Sequence, residues 1–311
     1  MKLDLSVDIG PLRLANPVGV ASGSFGYGSE YEELVDIDAL GALFTKAVTL
    51  EVRQGNDTPR IVETPAGMLN SIGLANPGIE AFLRDKLPML ARYRCSIIVN
   101  VAGSSEDDYL AVLDRIEEAD AAPRTRAVDG YEINVSCPNV AHGGLAFGTE
   151  PRQVERLTAA LRKRTKRCLI VKLTPNVADI ASIALAAEAG GADSVSCVNT
   201  LVGMVIDVGK RKPVLAMRTG GLSGPAIRPV GVACVYKASR AVKIPVIGLG
   251  GIMCADDALQ YFLAGARAIQ VGTGNFVDPS CAIRVLEGLR TWMEAEGIPR
   301  VQDIPGLLEC R

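Results

Sequence analysis

The sequence predicts a closed (β/α)8 barrel, the TIM-barrel architecture, on three observations. Short apolar runs alternate with amphipathic segments eight times along 311 residues. No break in composition separates any pair of these units, which favours one closed barrel over an open sheet or two domains. The apolar fraction is 48% and aromatics only 5%, so the core is built from Ala, Val, Ile and Leu, as a parallel sheet covered by helices requires. Barrels of this class routinely run this long as one unit, and a single domain over 1–311 is expected.

The first segment, Leu3 to Leu14 with Gly10-Pro11 at its turn, reads as a hairpin plugging the barrel bottom. Leu3, Leu5, Val7 and Ile9 alternate with polar residues there, which is a strand pattern and not that of a signal peptide. The strands follow as PVGVA (17–21), LFTKA (43–47), IIVNV (97–101), YEINV (131–135), LIVKL (169–173), SVSCV (194–198), PVIGL (245–249) and AIQVG (268–272). Helical segments come between them. Ser29 with Glu32 suggests a capping box before the first. Asp278 followed by Pro279 suggests an N-cap and first helical position before the last. Gly190 and Gly191 close the helix that begins near Asp179. Three connections, about 48 to 80, 136 to 150 and 200 to 224, are too long for turns, and loops above about 12–15 residues usually carry function.

Several classes of function are disfavoured. Basic and acidic residues number 33 and 35 with no basic block, so nucleic acid and anionic membranes are not expected partners. No apolar run reaches the ~18 residues of a membrane span, and a cytoplasmic protein is expected. The eight cysteines, at 95, 137, 168, 197, 234, 254, 281 and 310, form no C-x-x-C pair, so neither an iron–sulfur cluster nor any other metal site is expected on this chain. His142 is the only histidine, which excludes a His-based triad. It lies beside Gly143-Gly144 and reads as a solvated loop residue.

Polar residues gather instead at the C-terminal ends of the strands, where barrel enzymes place their sites. Ser22 follows the first strand, Lys46 lies near the end of the second, Asn100 and Asn134 lie on the third and fourth, and Lys172 on the fifth. Asn199 and Thr200 follow the sixth; Gly250-Gly251 and Gly272-Thr273 follow the seventh and eighth. Two lysines and three asparagines converging there would each carry desolvation costs of several kcal/mol without a polar partner. The ring therefore implies a polar, partly anionic ligand. The two glycine turns sit at the habitual phosphate position of this fold, because glycine lets backbone N–H groups approach a phosphate. Flavin mononucleotide (FMN) suits such a site, with Lys172 favouring the negative charge of the reduced ring and Asn100 and Asn134 able to bond its edge. A colourless Schiff-base lyase using Lys46 or Lys172 is the rival reading.

The segments NSIGLANPG (70–78), NVSCPNV (134–140), VKLTPN (171–176), CVNT (197–200), GGLSGPAIRP (220–229), GLGGI and QVGTGNF together resemble the dihydroorotate dehydrogenase family, in family order and over nearly the whole chain. The resemblance implies oxidation of dihydroorotate to orotate in pyrimidine biosynthesis, with one non-covalent FMN per chain. Cys137 matches the base of the soluble class, taking a proton from C5 while FMN N5 takes the C6 hydride. The stretches at 141–148 and 203–226 are similar to the NAD-linked subtype. That subtype implies a partner subunit carrying FAD and a 2Fe–2S cluster, and a heterotetramer around a homodimer core. Consistently, no G-x-G-x-x-G follows a strand, so this chain has no Rossmann site for NAD. A fumarate-linked soluble enzyme and an FMN barrel reducing uracil or thymine remain alternatives.

The resemblance also assigns contacts. Lys46 meets both substrate and flavin and counts with Cys137 as catalytic. Asn70, Asn134, Asn199 and Thr200 meet the substrate ring, and the Ser71, Ile72, Gly73 and Leu74 backbone meets its carboxylate. Ser22, Ala47, Asn100, Asn134, Lys172, Val198, Gly224, Gly250, Gly251, Gly272 and Thr273 contact FMN.

Overall fold

Strand-forming runs of Val, Ile and Leu buried on both faces can be satisfied only inside a helix-covered parallel sheet. In the computed structural model, which describes residues 2–121, 127–135 and 147–309, those runs close a barrel. Its strands are β1 (Val18–Val20), β2 (Ala42–Phe44), β3 (Ser96–Val101), β4 (Gly130–Asn134), β5 (Cys168–Leu173), β6 (Ser194–Cys197), β7 (Val246–Leu249) and β8 (Ala268–Val271). Each pairs in parallel with its neighbour, and β8 returns to β1 through Ile269 opposite Val18. All eight overlap the runs read from the sequence. Every residue of β4, β5 and β6 is buried. Each Val, Leu or Ile so enclosed contributes roughly 1.5–3 kcal/mol.

Helices cover the outside: Glu106–Ala119, Pro151–Arg162, Ile180–Ala189, Arg228–Ala241, Ala255–Ala264 and Cys281–Glu296 follow β3 to β8 in turn. Asp179 caps Ile180–Ala189 and Gly190 ends it, as expected. The expected helix after β1 does not form. Gly23, Gly26 and Gly28 take left-handed φ of 81°, 61° and 100°, and the chain runs through turns to Asp36. Glu32, the intended half of a capping box, instead accepts from Tyr93 and Arg92, while Glu30 accepts from the Tyr27 N–H at 3.0 Å. The last helix starts slightly later than Asp278-Pro279 suggested. Ser280 is its N-cap, and Asp278 accepts from the Ser280 N–H at 2.9 Å, closing a preceding turn.

Val7–Asp8 and Arg13–Leu14 form the expected antiparallel hairpin. It lies under the strand starts, where the Cys168 thiol donates to the Ile9 carbonyl at 3.0 Å. Gly10 packs so closely on Asp193, just before β6, that a Cβ would come within 2.6 Å of the Asp193 Cβ. The opposite end of the barrel is therefore the open one.

Two of the three long connections are structured together. Ile61–Thr64 and Gly67–Asn70 from the β2 connection join Leu201–Gly203 and Gly220–Ser223 from the β6 connection in one four-stranded antiparallel sheet. Its inner pair sets Asn70 opposite Gly221. Residues 136–146 of the third connection, with Cys137 and His142, lie outside the described residues, as does Cys310.

The barrel seam is tightest at Gly41, whose N–H donates to the Val18 carbonyl at 2.8 Å and whose Cβ, if present, would lie 1.9 Å from the Asn16 carbonyl oxygen. Gly41→Ala is expected to destabilise the fold by about 1–3 kcal/mol through forced backbone displacement. Urea unfolding at neutral pH should show this as a lowered midpoint with an unchanged slope.

Candidate active site

Inward-facing residues near the ends of parallel strands must point at the barrel axis, so polar ones meet each other there. β4 supplies Glu132 and Asn134 two residues apart, the spacing that puts both on one face. Glu132 is wholly buried and Lys172, on β5, has a side chain 4% exposed. Their charged atoms are 3.4 Å apart. The carboxylate also accepts from Asn100 Nδ2 at 2.7 Å, Ser196 Oγ at 2.8 Å and Gln270 Nε2 at 2.8 Å. Lys172 Nζ further donates to Ser22 Oγ at 2.9 Å. Strands β3, β4, β5, β6 and β8, and the turn after β1, are thus tied by side chains across the barrel interior. Burial alone would push the Glu132 carboxyl up, but the Lys172 ammonium and the three hydrogen bonds outweigh it and hold the group below the usual carboxylate range.

Above this layer opens a cavity of about 350 Å³, within the range of small-molecule sites. Ser22, Lys46, Ala47, Asn100, Asn134 and Lys172 line one side of the strand-end ring. Val198, Asn199, Thr200, Gly224, Gly250, Gly251, Gly272 and Thr273 line the rest, and Asn70, Ile72, Gly73 and Leu74 approach from the covering sheet. Ser71 is the exception among the described candidates. Its side chain is buried away from the cavity, and its backbone serves the scaffold, donating to the Arg60 carbonyl and accepting from Asn56 Nδ2 at 2.9 Å.

The Asn70–Leu74 segment is held in place by its neighbours. Gly73 packs closely on Asn56, an approach that its φ of 75° and missing Cβ allow. The Asn56 N–H donates to the Ile72 carbonyl at 3.0 Å. Asn134 and Asn199 meet directly, Nδ2 of Asn199 donating to Oδ1 of Asn134 at 3.3 Å. Lys46 is half-buried at the cavity edge and has no carboxylate partner among the described residues. A cation so placed favours an anionic ligand.

At the other end, three glycine-bearing segments converge. Gly224, Gly250 and Gly251 have φ of 91°, 122° and 71°, and a Cβ on Gly251 would lie 2.7 Å from the Gly224 carbonyl oxygen. The Thr273 hydroxyl donates to Ser223 Oγ at 2.8 Å, joining the β8 turn to the covering sheet. Sequence reading missed Ser223, Gln270, Ser196 and Glu132. The signal for the last was present: a carboxylate inside the apolar run YEINV is costly unless something pairs with it.

A family model for dihydroorotate dehydrogenase matches residues 4–293. The chain is 51% identical over 310 residues to the dihydroorotate dehydrogenase B (NAD(+)) catalytic subunit of Pelobacter propionicus, covering 100% of both. It is 50% identical over 307 residues to the protein of that name from Alkaliphilus metalliredigens, covering 99% of both. Among solved structures, DHODH in complex with ferulenol from Eimeria tenella superposes with a TM-score of 0.81 at 24% identity, over 98% of this chain and 88% of that one. At that identity the likeness carries the fold alone.

Removing the cation beneath the cavity leaves a buried carboxylate unpaired, so Lys172→Met is expected to cost about 3–5 kcal/mol at pH 7. The parent's Glu132 is held low, so its stabilisation is present above the unfolded carboxylate value of ~4.3 and is lost as pH falls through the folded value. In the variant Glu132 should be pushed up instead, and its protonated form becomes the stable one. Unfolding curves at pH 7 and pH 5 should therefore show the gap between parent and variant narrowing on acidification.

Proposed function

The chain belongs to the dihydroorotate dehydrogenase family, and from that premise we propose that it oxidises dihydroorotate to orotate in pyrimidine biosynthesis as an FMN-dependent catalytic subunit. The observation that carries the reading is a single cavity lined by the half-buried cation Lys46, the hydrogen-bonded Asn134–Asn199 pair and, from the covering sheet, Asn70. Dihydroorotate offers a carboxylate and amide edges, and asparagine side chains both donate and accept along such edges.

Enzymes of this family are flavin-dependent. The residues present suit FMN: the crowded Gly224–Gly251 contact leaves backbone where a phosphate could approach, and Lys172 would supply fixed positive charge to the flavin. Ser22, Ala47, Asn100, Asn134, Val198, Gly224, Gly250, Gly251, Gly272 and Thr273 would hold it, with Lys46 and Lys172. When bound, the flavin supplies a two-electron acceptor for hydride.

The chain's own part in the reaction is binding and proton transfer. Asn70, Asn134, Asn199 and Thr200 orient the substrate ring. The backbone at Ile72, Gly73 and Leu74 meets its carboxylate with Lys46, while the strands of the covering sheet exclude water. Cys137 Sγ takes the C5 proton, and its thiolate, not the thiol, is the active form, so the rate should rise as pH approaches the free-thiol value of ~8.5. The relatives are named as catalytic subunits of an NAD(+) enzyme, and no dinucleotide fingerprint occurs here. By the resemblance to the NAD-linked subtype, electrons would pass to NAD through a partner subunit carrying FAD and a 2Fe–2S cluster, in a heterotetramer around a homodimer core. No helix among the described residues is long and apolar enough to cross a membrane.

Anaerobic addition of dihydroorotate to the FMN-loaded chain should bleach the flavin absorbance, and orotate should compete. Cys137→Ala should keep its flavin yet bleach roughly 10²–10⁴-fold more slowly, the usual worth of a general base. Full-rate bleaching by that variant would remove Cys137 from the mechanism, and a flavin-loaded parent that never bleaches would remove the substrate.

A further inference from the structure

The buried carboxylate of β4 has no part in the chemistry above, yet four side chains converge on it. Glu132 lies one layer below the cavity, wholly buried, in contact with four donors from four different strands: Asn100, Lys172, Ser196 and Gln270. Three of these, Asn100, Lys172 and Gln270, also line the cavity. A purely structural tie would be made more cheaply by apolar packing, since a buried ion pair commonly gains little over well-packed hydrophobic residues.

We propose that Glu132 is a positioning residue: it fixes the place and damps the charge of the Lys172 ammonium, and so sets how strongly the site favours reduced over oxidised flavin. The inference rests on the flavin reading above. Three features support it. Lys172 is pinned between Glu132 and the Ser22 hydroxyl, so its ammonium cannot move without breaking one of those contacts. By donating through their nitrogens, Asn100 and Gln270 have their amide orientation set by the carboxylate. Their oxygens, Asn100 Oδ1 and Gln270 Oε1, are buried without a partner among the described residues. Such atoms carry an electrostatic cost that a donor entering just above them would relieve. In a low-dielectric interior a charge in the cavity floor acts strongly on whatever the cavity holds, because little water screens the field.

Two substitutions of opposite sign test this. Glu132→Gln keeps the shape and removes the negative charge, exposing the full charge of Lys172. Ser196→Ala keeps the carboxylate and removes one donor, leaving its negative charge less compensated. Each protein is stripped of flavin, titrated with FMN by fluorescence quenching, and its bound-flavin midpoint potential is measured with redox dyes at pH 7.

Glu132→Gln is expected to favour the reduced flavin about tenfold more than the parent does, which for a two-electron couple is an upward shift of about 30 mV. Ser196→Ala is expected to shift the potential downward by a smaller amount. Potentials that match the parent in both variants, or that move in the same direction, would reduce Glu132 to a structural tie. Should Glu132→Gln fail to fold, the sign of the Ser196→Ala shift decides alone, an unchanged or raised potential overturning the proposal. A parent chain that binds no FMN in the same titration would instead overturn the flavin reading, so the two failures are distinct.

Discussion

A carboxylate sealed inside a barrel is stable only if its negative charge is met from several sides, and Glu132 is met from strands β3, β5, β6 and β8. Much of the site's architecture follows from that requirement. Lys172 is drawn to it, and Ser22 is drawn to Lys172. Asn100 and Gln270 must turn their amide nitrogens downward, which settles which atom each can offer to anything above. The same layer cross-ties strands that are far apart in sequence, so the part of the barrel that bears the cavity floor is also among its most connected. A polar network of this kind is stabilising only while every charged member is satisfied. For that reason the floor of the site should be its least adaptable part.

The roof is built on a different principle. Two excursions, one after β2 and one after β6, each too short to bury a core alone, share one antiparallel sheet. Backbone pairing holds it, and glycines let its segments pack closely on one another. A Cβ on Gly67 would lie 2.0 Å from the Ser223 carbonyl oxygen, and one on Gly221 would lie 2.0 Å from the Thr200 hydroxyl. Cavity-lining residues on strand ends and on the roof are thereby held at fixed separation. Lys46, unpaired by any described carboxylate, lines the same cavity as floor and roof residues.

Phosphate recognition, as proposed, uses neither floor nor roof side chains but main chain from three turns. Gly224, Gly250 and Gly251 all adopt left-handed φ, a region glycine enters without the Cβ penalty that other residues meet. The Ser223–Thr273 hydroxyl contact then links the roof to the β8 turn. The cavity thus has a buried charge network below it, asparagines at its rim and glycine main chain at one end.

What the sequence determined by itself was periodic or local. Apolar runs at regular intervals specified eight strands, because a strand buried on both faces tolerates little else, and all eight were found close to where they were read. The strand-end lysines and asparagines and the glycine turns were legible for the same reason: their position relative to a run is a matter of counting. Motif resemblance added the family. What only the tertiary structure decided were relations between residues distant in the chain. The pairing of Glu132 with Lys172 and Gln270, and the joining of two loops into one sheet, leave no local pattern, since each partner alone looks like an ordinary strand or loop residue. The missing first helix was decided likewise. Ser29 and Glu32 have the spacing of a cap, but Glu32 is claimed by Arg92 and Tyr93 from across the fold, and a tertiary contact overrode a local propensity.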